Sequence, residues 1–445
     1  MKSRPRYSLI ASGILAFIIL TPFIVLFVSG KKYDFKNGRF VKTGILGIKT
    51  EPKNAGITIN GSTHGTTNQN IRFLEPGNYE LSIKKQGYFD WNKRLTVRSQ
   101  FVTWNFESTD NLFLFYSNAE KQTLSENALD FFAGEKRIAY LQQDKISFAD
   151  ISSPEKQTSV NFKENIKAGK ILSSPDENFF LINSGVNNFV LDTRNNTLTD
   201  ITELTTKQAA FSSKTSFQAS ENTFKFSPDN KLYQLLEGSI YILDWNKNEK
   251  EVVVDNVLAF EVNSSGIYYI KLAESLLGIR RSLAHASMPN YTETILLENI
   301  PPFVDAQIYL TENNQLFVLG NKTLYVLNDE LEKIVEHVEE VQIENNEDVF
   351  FNTGNEIDRY NMASRETKLI TRSLKEISNI SGNSQVGWVF FKNDNHLQAI
   401  ELDTRDYQNN YTFAELNKEA KFYIDSDAKT IFLLNNETVS LLKVR

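Results

Sequence analysis

The hydrophobic pattern changes character twice along the chain. Residues 8–30, SLIASGILAFIILTPFIVLFVSG, carry no charged side chain over 23 positions, and about 20 apolar residues suffice for a helix to cross a hydrocarbon core roughly 30 Å thick. This predicts a transmembrane helix acting as a signal anchor, with a short cytoplasmic tail (1–7) before it and a basic juxtamembrane linker (31–42) after it. A cleaved signal peptide is the competing reading. Its apolar region is usually about 7–15 residues, and Val28-Ser29-Gly30 is only a loose cleavage match. Pro22 is compatible with a membrane helix, where local adjustment re-satisfies the freed backbone groups. From residue 43 the period drops to two. Ile57 and Ile59 share one phase, and Tyr79, Leu81 and Ile83 alternate with Glu80, Ser82 and Lys84, as in strands with one buried face. Asn60-Gly61 predicts a tight type I′ hairpin turn. Pro76-Gly77 predicts a second turn, with Pro setting φ and Gly taking the left-handed position. Gly87-Tyr88 predicts a bend that lets Tyr88 cover a small core, and Leu95-Thr96-Val97 opens the last strand. The expectation for 43–108 is a compact β-sandwich.

At EPKNAGITINGSTHG (51–65), LEPGNYELSIKKQGY (74–88) and the closing Leu-Thr-Val, this segment resembles the PEGA domain. Lys53-Asn54-Ala55-Gly56 stands where the family has its acidic-Gly-Ala segment, so the likeness rests mainly on the later half. The resemblance implies an exported or surface-associated setting. It implies no ligand.

Beyond residue 108 the chain repeats itself. SSPDENFFLINSGVNNFVLDTRNNTLTDIT (173–202) and FSPDNKLYQLLEGSIYILDWNKNEKEVVVD (226–255) share one skeleton: a Ser-Pro-Asp turn, two apolar strands, a Leu-Asp ending, a polar turn and a final strand. Degraded copies occupy 133–162, 311–338, 344–371 and 383–413. Units of about 35–50 residues with four short strands are the mark of a β-propeller blade. The fold expected is therefore all-β: an N-terminal transmembrane helix, the PEGA-like sandwich, then a propeller over 109–445. A β-sandwich array and a right-handed β-helix are the alternatives. Eight blades are expected, with seven the alternative because 256–302 is irregular. The unit at 420–444 shows three strands, and NLFLFYSNAEKQTL (111–124) reads as a blade ending without its beginning. We expect it to complete the C-terminal unit and close the ring, hiding the sheet edges. The turns at Ser174-Pro175-Asp176 and Ser227-Pro228-Asp229 resemble those of TolB-like and WD40-like propellers, which bears on the fold only. In LAESLLGIRRSLAHA (272–286), apolar residues at 272, 276, 277, 279 and 283 have helical spacing. This predicts a helical insertion, packed on the rim or projecting toward a partner or membrane.

Composition sharpens this picture in three places. Aromatic residues make up 12% of the chain, and they favour strands. There is no cysteine, which excludes disulfides, thiolate metal sites and thiol nucleophiles but leaves the redox compartment open. Net charge is −7, yet residues 1–42 alone carry +7, leaving −14 for the rest. So acidic a body does not match a nucleic-acid binder, which neutralises phosphates with a basic face. Basic residues flank the apolar run on both sides, so charge alone does not orient it. A short tail before a large folded body predicts that the body is extracytoplasmic. Lys31, Lys32, Lys36 and Arg39 then rest on anionic headgroups or form a solvated stalk.

Catalytic vocabulary is sparse. His64, His285, His337 and His396 lie in separate segments without a second ligand at metal spacing. No nucleophile elbow, P-loop, HExxH or dinucleotide fingerprint occurs. DTRNNTLTD and DSDAKT loosely resemble Asp-rich calcium loops but lack EF-hand spacing. Asn195, Asn321 and Asn436 head Asn-x-Ser/Thr triplets of the kind an Asn- and Thr-rich turn population produces. No catalytic, cofactor or metal residue is assigned, and the binding residues stay unknown. The functional expectation is a non-catalytic, membrane-anchored binding or scaffolding protein of the cell envelope, with an envelope protein or glycan as partner. The alternatives are a polysaccharide-acting glycosidase or lyase using carboxylates at the propeller axis, or a sensor or assembly subunit.

Overall fold

The computed structural model describes all residues except 1–3, 29, 35–37, 108, 110, 207–222, 276–277 and 345–346. A helix spans Arg4–Val28, and Ile10, Ile14, Leu15, Phe17, Ile18, Ile19 and Leu20 on it are each more than half exposed. Its described side chains are those of residues 10–22, 24 and 25. Among the described residues no helix is long and apolar enough to cross a membrane. A short hairpin, Lys31–Asp34 with Arg39–Lys42, follows. Thr43 closes its base by donating from N and Oγ1 to the Gly30 carbonyl, at 2.9 and 2.7 Å.

The sandwich has two main sheets. One orders Ser62–Thr66, Gly56–Ile59, Gly77–Lys84 and Trp91–Val97; the other orders Val102–Trp104, Gly44–Ile48 and Gln69–Leu74. Period-two burial drives their apolar faces together: Leu46, Ile48, Ile57, Ile59, Leu81, Ile83, Trp91, Leu95 and Val97 share one core. Asn60 and Gly61 take positive φ (48° and 79°) between paired Ile59 and Ser62, the predicted two-residue turn. The Pro76-Gly77 expectation is corrected. Gly77 already pairs with Val97 as strand, and a ladder demands extended backbone there; the positive φ at Phe73 (61°) marks a bulge in strand Gln69–Leu74 rather than the turn. Gly87 (φ 84°) supplies the second bend. Tyr88 beyond it is half-buried, its ring 4.6 Å from that of Tyr116.

Eight further four-stranded sheets follow. We number them as blades 1 to 8: 130–161, 170–200, 223–254, 257–297, 306–335, 340–372, 377–415, and 421–443 completed by Glu120–Ser125. Strands run in chain order within blades 1 to 7, and first strands face one another between blades 1 and 2, 3 and 4, 4 and 5, 6 and 7, and 7 and 8. The ring is closed by Glu120–Ser125, which pairs antiparallel with Thr438–Lys443. The expected closing segment thus divides: its earlier part, Leu112–Phe113, pairs in parallel with Thr50–Glu51 of the sandwich.

The helical insertion is also corrected. Gly266–Ser275 and Gly278–Ser287 form a long antiparallel pair from Gly266↔Ser287 to Ser275↔Gly278. Leu276 and Leu277 lie outside the described residues. The helical spacing was carried by few apolar positions, whereas alternating burial through Ile270, Leu272 and Leu283 places this hairpin in the blade 4 core. Tertiary packing overrides so weak a period.

Between blades there is no ladder, and side chains reach across instead. On strand Glu340–Glu344, alternate residues Glu340, Gln342 and Glu344 share a face, and they accept hydrogen bonds from the backbone N–H groups of Ile380, Gly382 and Ser384 in blade 7. Asp130 of blade 1 accepts from Ile171 N (2.9 Å) in blade 2 and from Lys421 Nζ (2.6 Å) in blade 8. Glu177 of blade 2 accepts three consecutive amides of the blade 1 loop, Glu135, Lys136 and Arg137, at 2.8, 2.9 and 2.6 Å.

Candidate functional site

Two clusters of charge meet on blade 7. The first joins it to the sandwich. Strand Trp91–Val97 buries Trp91, Lys93, Leu95 and Val97 in one phase, so a lysine occupies an apolar register position. Its side chain is fully buried, as is that of Glu401, with which it forms a short ion pair. Lys93 Nζ also donates to the Asp403 carbonyl at 2.6 Å. Glu401 accepts Trp91 Nε1 at 2.7 Å and both nitrogens of Asn409, N at 3.1 Å and Nδ2 at 3.2 Å. Asn409 and Asn92 exchange amide hydrogen bonds of 3.2 and 3.0 Å. Asp403 accepts a fork from Arg405, which also donates to the carbonyls of Trp104 and Asn105 at 2.9 and 3.1 Å. Burial pushes the Glu401 carboxyl up despite Lys93. At Asp403 burial acts the same way, but Arg405 and Lys93 outweigh it and hold that carboxyl below its ordinary value. Two cations thus balance two anions. Apolar packing completes the joint: Phe89 stacks on Tyr411 at 4.5 Å, and Phe115 meets Trp388 edge-on at 5.2 Å.

The second cluster opens to solvent as a cleft of about 970 Å³ between blades 6 and 7, reaching the sandwich at Glu107, beside Arg405 of blade 7. Its size lies within the range of ligand pockets. On its floor, Asp348 is buried and accepts Asn361 Nδ2 at 3.0 Å. Ser384 Oγ stands 2.8 Å from Asp348 Oδ2 and 2.8 Å from Glu344 Oε2. A hydroxyl carries one proton and donates once. The one hydroxyl proton of Ser384 is thus shared between two carboxyl groups. Burial pushes Glu344 up to about 7, and Asp348 adds to the rise against the opposing pull of Ser384 and Arg359. Above this floor, Arg359 stands 3.6 Å from Asp348 Oδ1, and its buried Nε has no hydrogen-bond acceptor among the described residues. Lys368 and Glu347 are exposed on the walls. Arg405 is committed to the joint, so Arg359 and Lys368 are the cations this cleft presents to a ligand. The arrangement suits an anionic group flanked by hydroxyls.

The histidines singled out in the sequence are not brought together. His285 lies half-buried against Tyr268, ring to ring at 4.3 Å, and burial lowers its pKa; His64 and His396 are exposed strand residues and His337 sits in a turn at φ 64°. Among the described residues no group of three potential metal ligands occurs. In the two Asp-rich loops, Asp192 is clasped by Arg194 and Asp425 accepts Lys429 N. The Ser-Pro-Asp turns are internal: Ser174 Oγ donates to Asp176 at 2.7 Å, and Ser227 Oγ to Asp229 at 2.5 Å. None of Lys93, Glu401, Glu344, Asp348, Ser384 or Arg359 was anticipated. The one available signal was Lys93, a charge in the buried phase of Trp-Asn-Lys-Arg-Leu-Thr-Val.

Residues 43–109 match the PEGA domain family. The small sandwich is a PEGA domain, and the larger unit is all-β with propeller proteins as its structural neighbours. These include virginiamycin B lyase from Staphylococcus aureus (12% identity, TM-score 0.42, covering 74% of this chain and 99% of that one). A eukaryotic initiation factor aligns at 10% identity and TM-score 0.49, over 72% and 85%. Dipeptidyl peptidase 4 of Porphyromonas gingivalis aligns at 10% and 0.48, over 70% and 56%. At such identities the likeness concerns fold alone. No curated protein matches the sequence.

Proposed function

We propose that this protein is a membrane-anchored, extracytoplasmic scaffold of the cell envelope whose blade 6–7 cleft binds an anionic, hydroxyl-bearing envelope glycan. The observation that carries the reading is the joint. The buried Lys93–Glu401 pair and the shared core make the PEGA domain and propeller one rigid unit, and the cleft opens at that joint. Rigid elements presenting loops are the usual platform for binding. Anchoring by residues 8–30 is read from their uncharged run of 23 residues; among the described residues no helix is long and apolar enough to cross a membrane. The enzyme alternative is weaker, because both oxygens of Glu344 are engaged by Ser384 and are not free to serve as a general acid.

Sedimentation of the full chain with purified acidic envelope polymers tests the binding. The wild type should co-sediment, and Arg359→Gln with Lys368→Gln should weaken binding at least tenfold, since hydrogen bonds to charged groups are worth about 1.5–3 kcal/mol. Equal binding by the double variant, or none by the wild type, overturns the reading. Protease added to cells with a permeabilised outer wall should remove the propeller, and full protection would sink the topology.

A further inference from the structure

We infer that the PEGA domain has a membrane-facing lip, formed by the loop 98–102 and the stem hairpin, that rests on an anionic phospholipid surface. This rests on the anchored reading above. Phe101 is 66% exposed, Phe40 54% and Val102 46%, an apolar group with no place in a core. Lys31, Lys32, Arg39, Lys42 and Arg98 are all exposed around it. Three acids lie close by: Glu75 is ion-paired to Lys32 at 3.7 Å, Asp34 stands opposite Arg39 in the hairpin ladder, and Glu107 lines the same pocket as Arg98 and Phe101.

Hydrogen bonds tie this lip to the end of the helix. Thr43 donates to Gly30 O, Gln100 N donates to Thr43 O at 2.8 Å, and Ile45 N donates to Phe101 O at 3.0 Å. Lys42 Nζ reaches Gln100 Oε1 at 3.3 Å. Phe101 is therefore held beside the point where the chain leaves the helix. Aromatic side chains favour the membrane–water boundary, and clustered Lys and Arg next to a span are drawn to anionic leaflets. The basic lip contrasts with a body carrying −14 beyond residue 42, so charge complementarity selects this face and repels the others. A second contact beside the helix fixes the tilt of the rigid PEGA–propeller unit, which a lone helix leaves free.

The absence of cysteine makes single-site labelling direct. The full chain is reconstituted in nanodiscs of phosphatidylcholine, alone or with an equal part of phosphatidylglycerol, each containing a lipid-borne quencher. Fluorophores are placed at Ile14→Cys in the helix, Ser99→Cys on the lip and Leu374→Cys, a fully exposed control. Quenching is expected at 14 in both discs, at 99 chiefly in anionic discs, and not at 374. Adding Lys42→Glu and Arg98→Glu should drop quenching at 99 to the control level and leave 14 unchanged. Quenching at 14 without quenching at 99 overturns the lip and leaves the anchor standing. Loss of quenching at 14 overturns both. Equal quenching at 99 in neutral discs overturns the anionic-lipid assignment.

Discussion

The joint and the cleft are neighbours on blade 7, with Asp403 and Arg405 bordering both, yet they treat charge in opposite ways. At the joint Lys93, Glu401 and Asp403 are dry, and their polar atoms meet partners on both domains. In the cleft Arg359 and Lys368 face an open volume, and on the floor Ser384 Oγ stands within hydrogen-bond reach of both Glu344 and Asp348. Buried charge that is saturated holds two domains in one geometry; charge left unsaturated at a surface is available to a ligand. Desolvation separates the two cases, since a buried ion must find its partners inside the protein.

Breaking the joint should have the largest effect. Lys93→Met leaves Glu401 buried without its cation and should cost about 3–5 kcal/mol in urea unfolding. Lys93→Met with Glu401→Leu should recover most of that loss, because well-packed apolar replacements of buried pairs are often neutral or stabilising. A single variant as stable as the wild type would show that the ion pair does not hold the joint. Next in size is Gly382→Ala. A Cβ there would lie 2.3–2.6 Å from the Phe350 ring, and overpacking of this kind costs about 1–3 kcal/mol, measurable as a lowered urea midpoint.

A pH series probes the cleft floor. The folded carboxyl of Glu344 sits near 7, above its ordinary value of 4.5. Between those values the folded chain holds a proton that the unfolded chain has released, so stability should fall as pH rises through that window and level off above it. Glu344→Gln should flatten much of this slope in thermal melts. The residual slope is shared by Asp358, pushed to about 6 by burial with help from Glu356 and opposed by Arg372, and by Glu340, Glu401 and Asp425, which burial also raises. An unchanged profile would place the proton elsewhere. The smallest stability effect is expected for Arg359→Gln, within about 0.5 kcal/mol, because Arg359 is part of no saturated network. A large destabilisation there would erase the distinction between the two clusters.

Much of the fold was legible. Asn60-Gly61 and the alternation at 79–84 encode local backbone and burial, and the repeated Ser-Pro-Asp skeleton encodes blades one at a time. Even the closing strand could be read from an incomplete last unit. What local pattern did not carry was partnership. Lys93 meets Glu401 only because the sandwich docks on blade 7, and no window of sequence holds both. The cleft floor likewise joins Glu344 and Asp348 of one blade to Ser384 of the next. Residues 272–286 misled for the same reason, since a few leucines at helical intervals say nothing about the strands on either side. At Pro76-Gly77 a turn composition was read as a left-handed glycine, but Gly77 is already extended and paired with Val97.

Closure of the ring sets an order of events during synthesis. Glu120 pairs with Lys443, so a growing chain translated from its amino end exposes the edge of Glu120–Ser125 until the last blade has emerged. Pairings this distant in sequence are slow, and open sheet edges invite aggregation while they wait. The strands of the PEGA domain are all made early and can pair long before then, although the core they share with blades 7 and 8 is completed only when those blades dock. The growing chain therefore passes through a stage in which the early-made strands of the PEGA domain precede an unfinished ring, whose open edge a chaperone would meet.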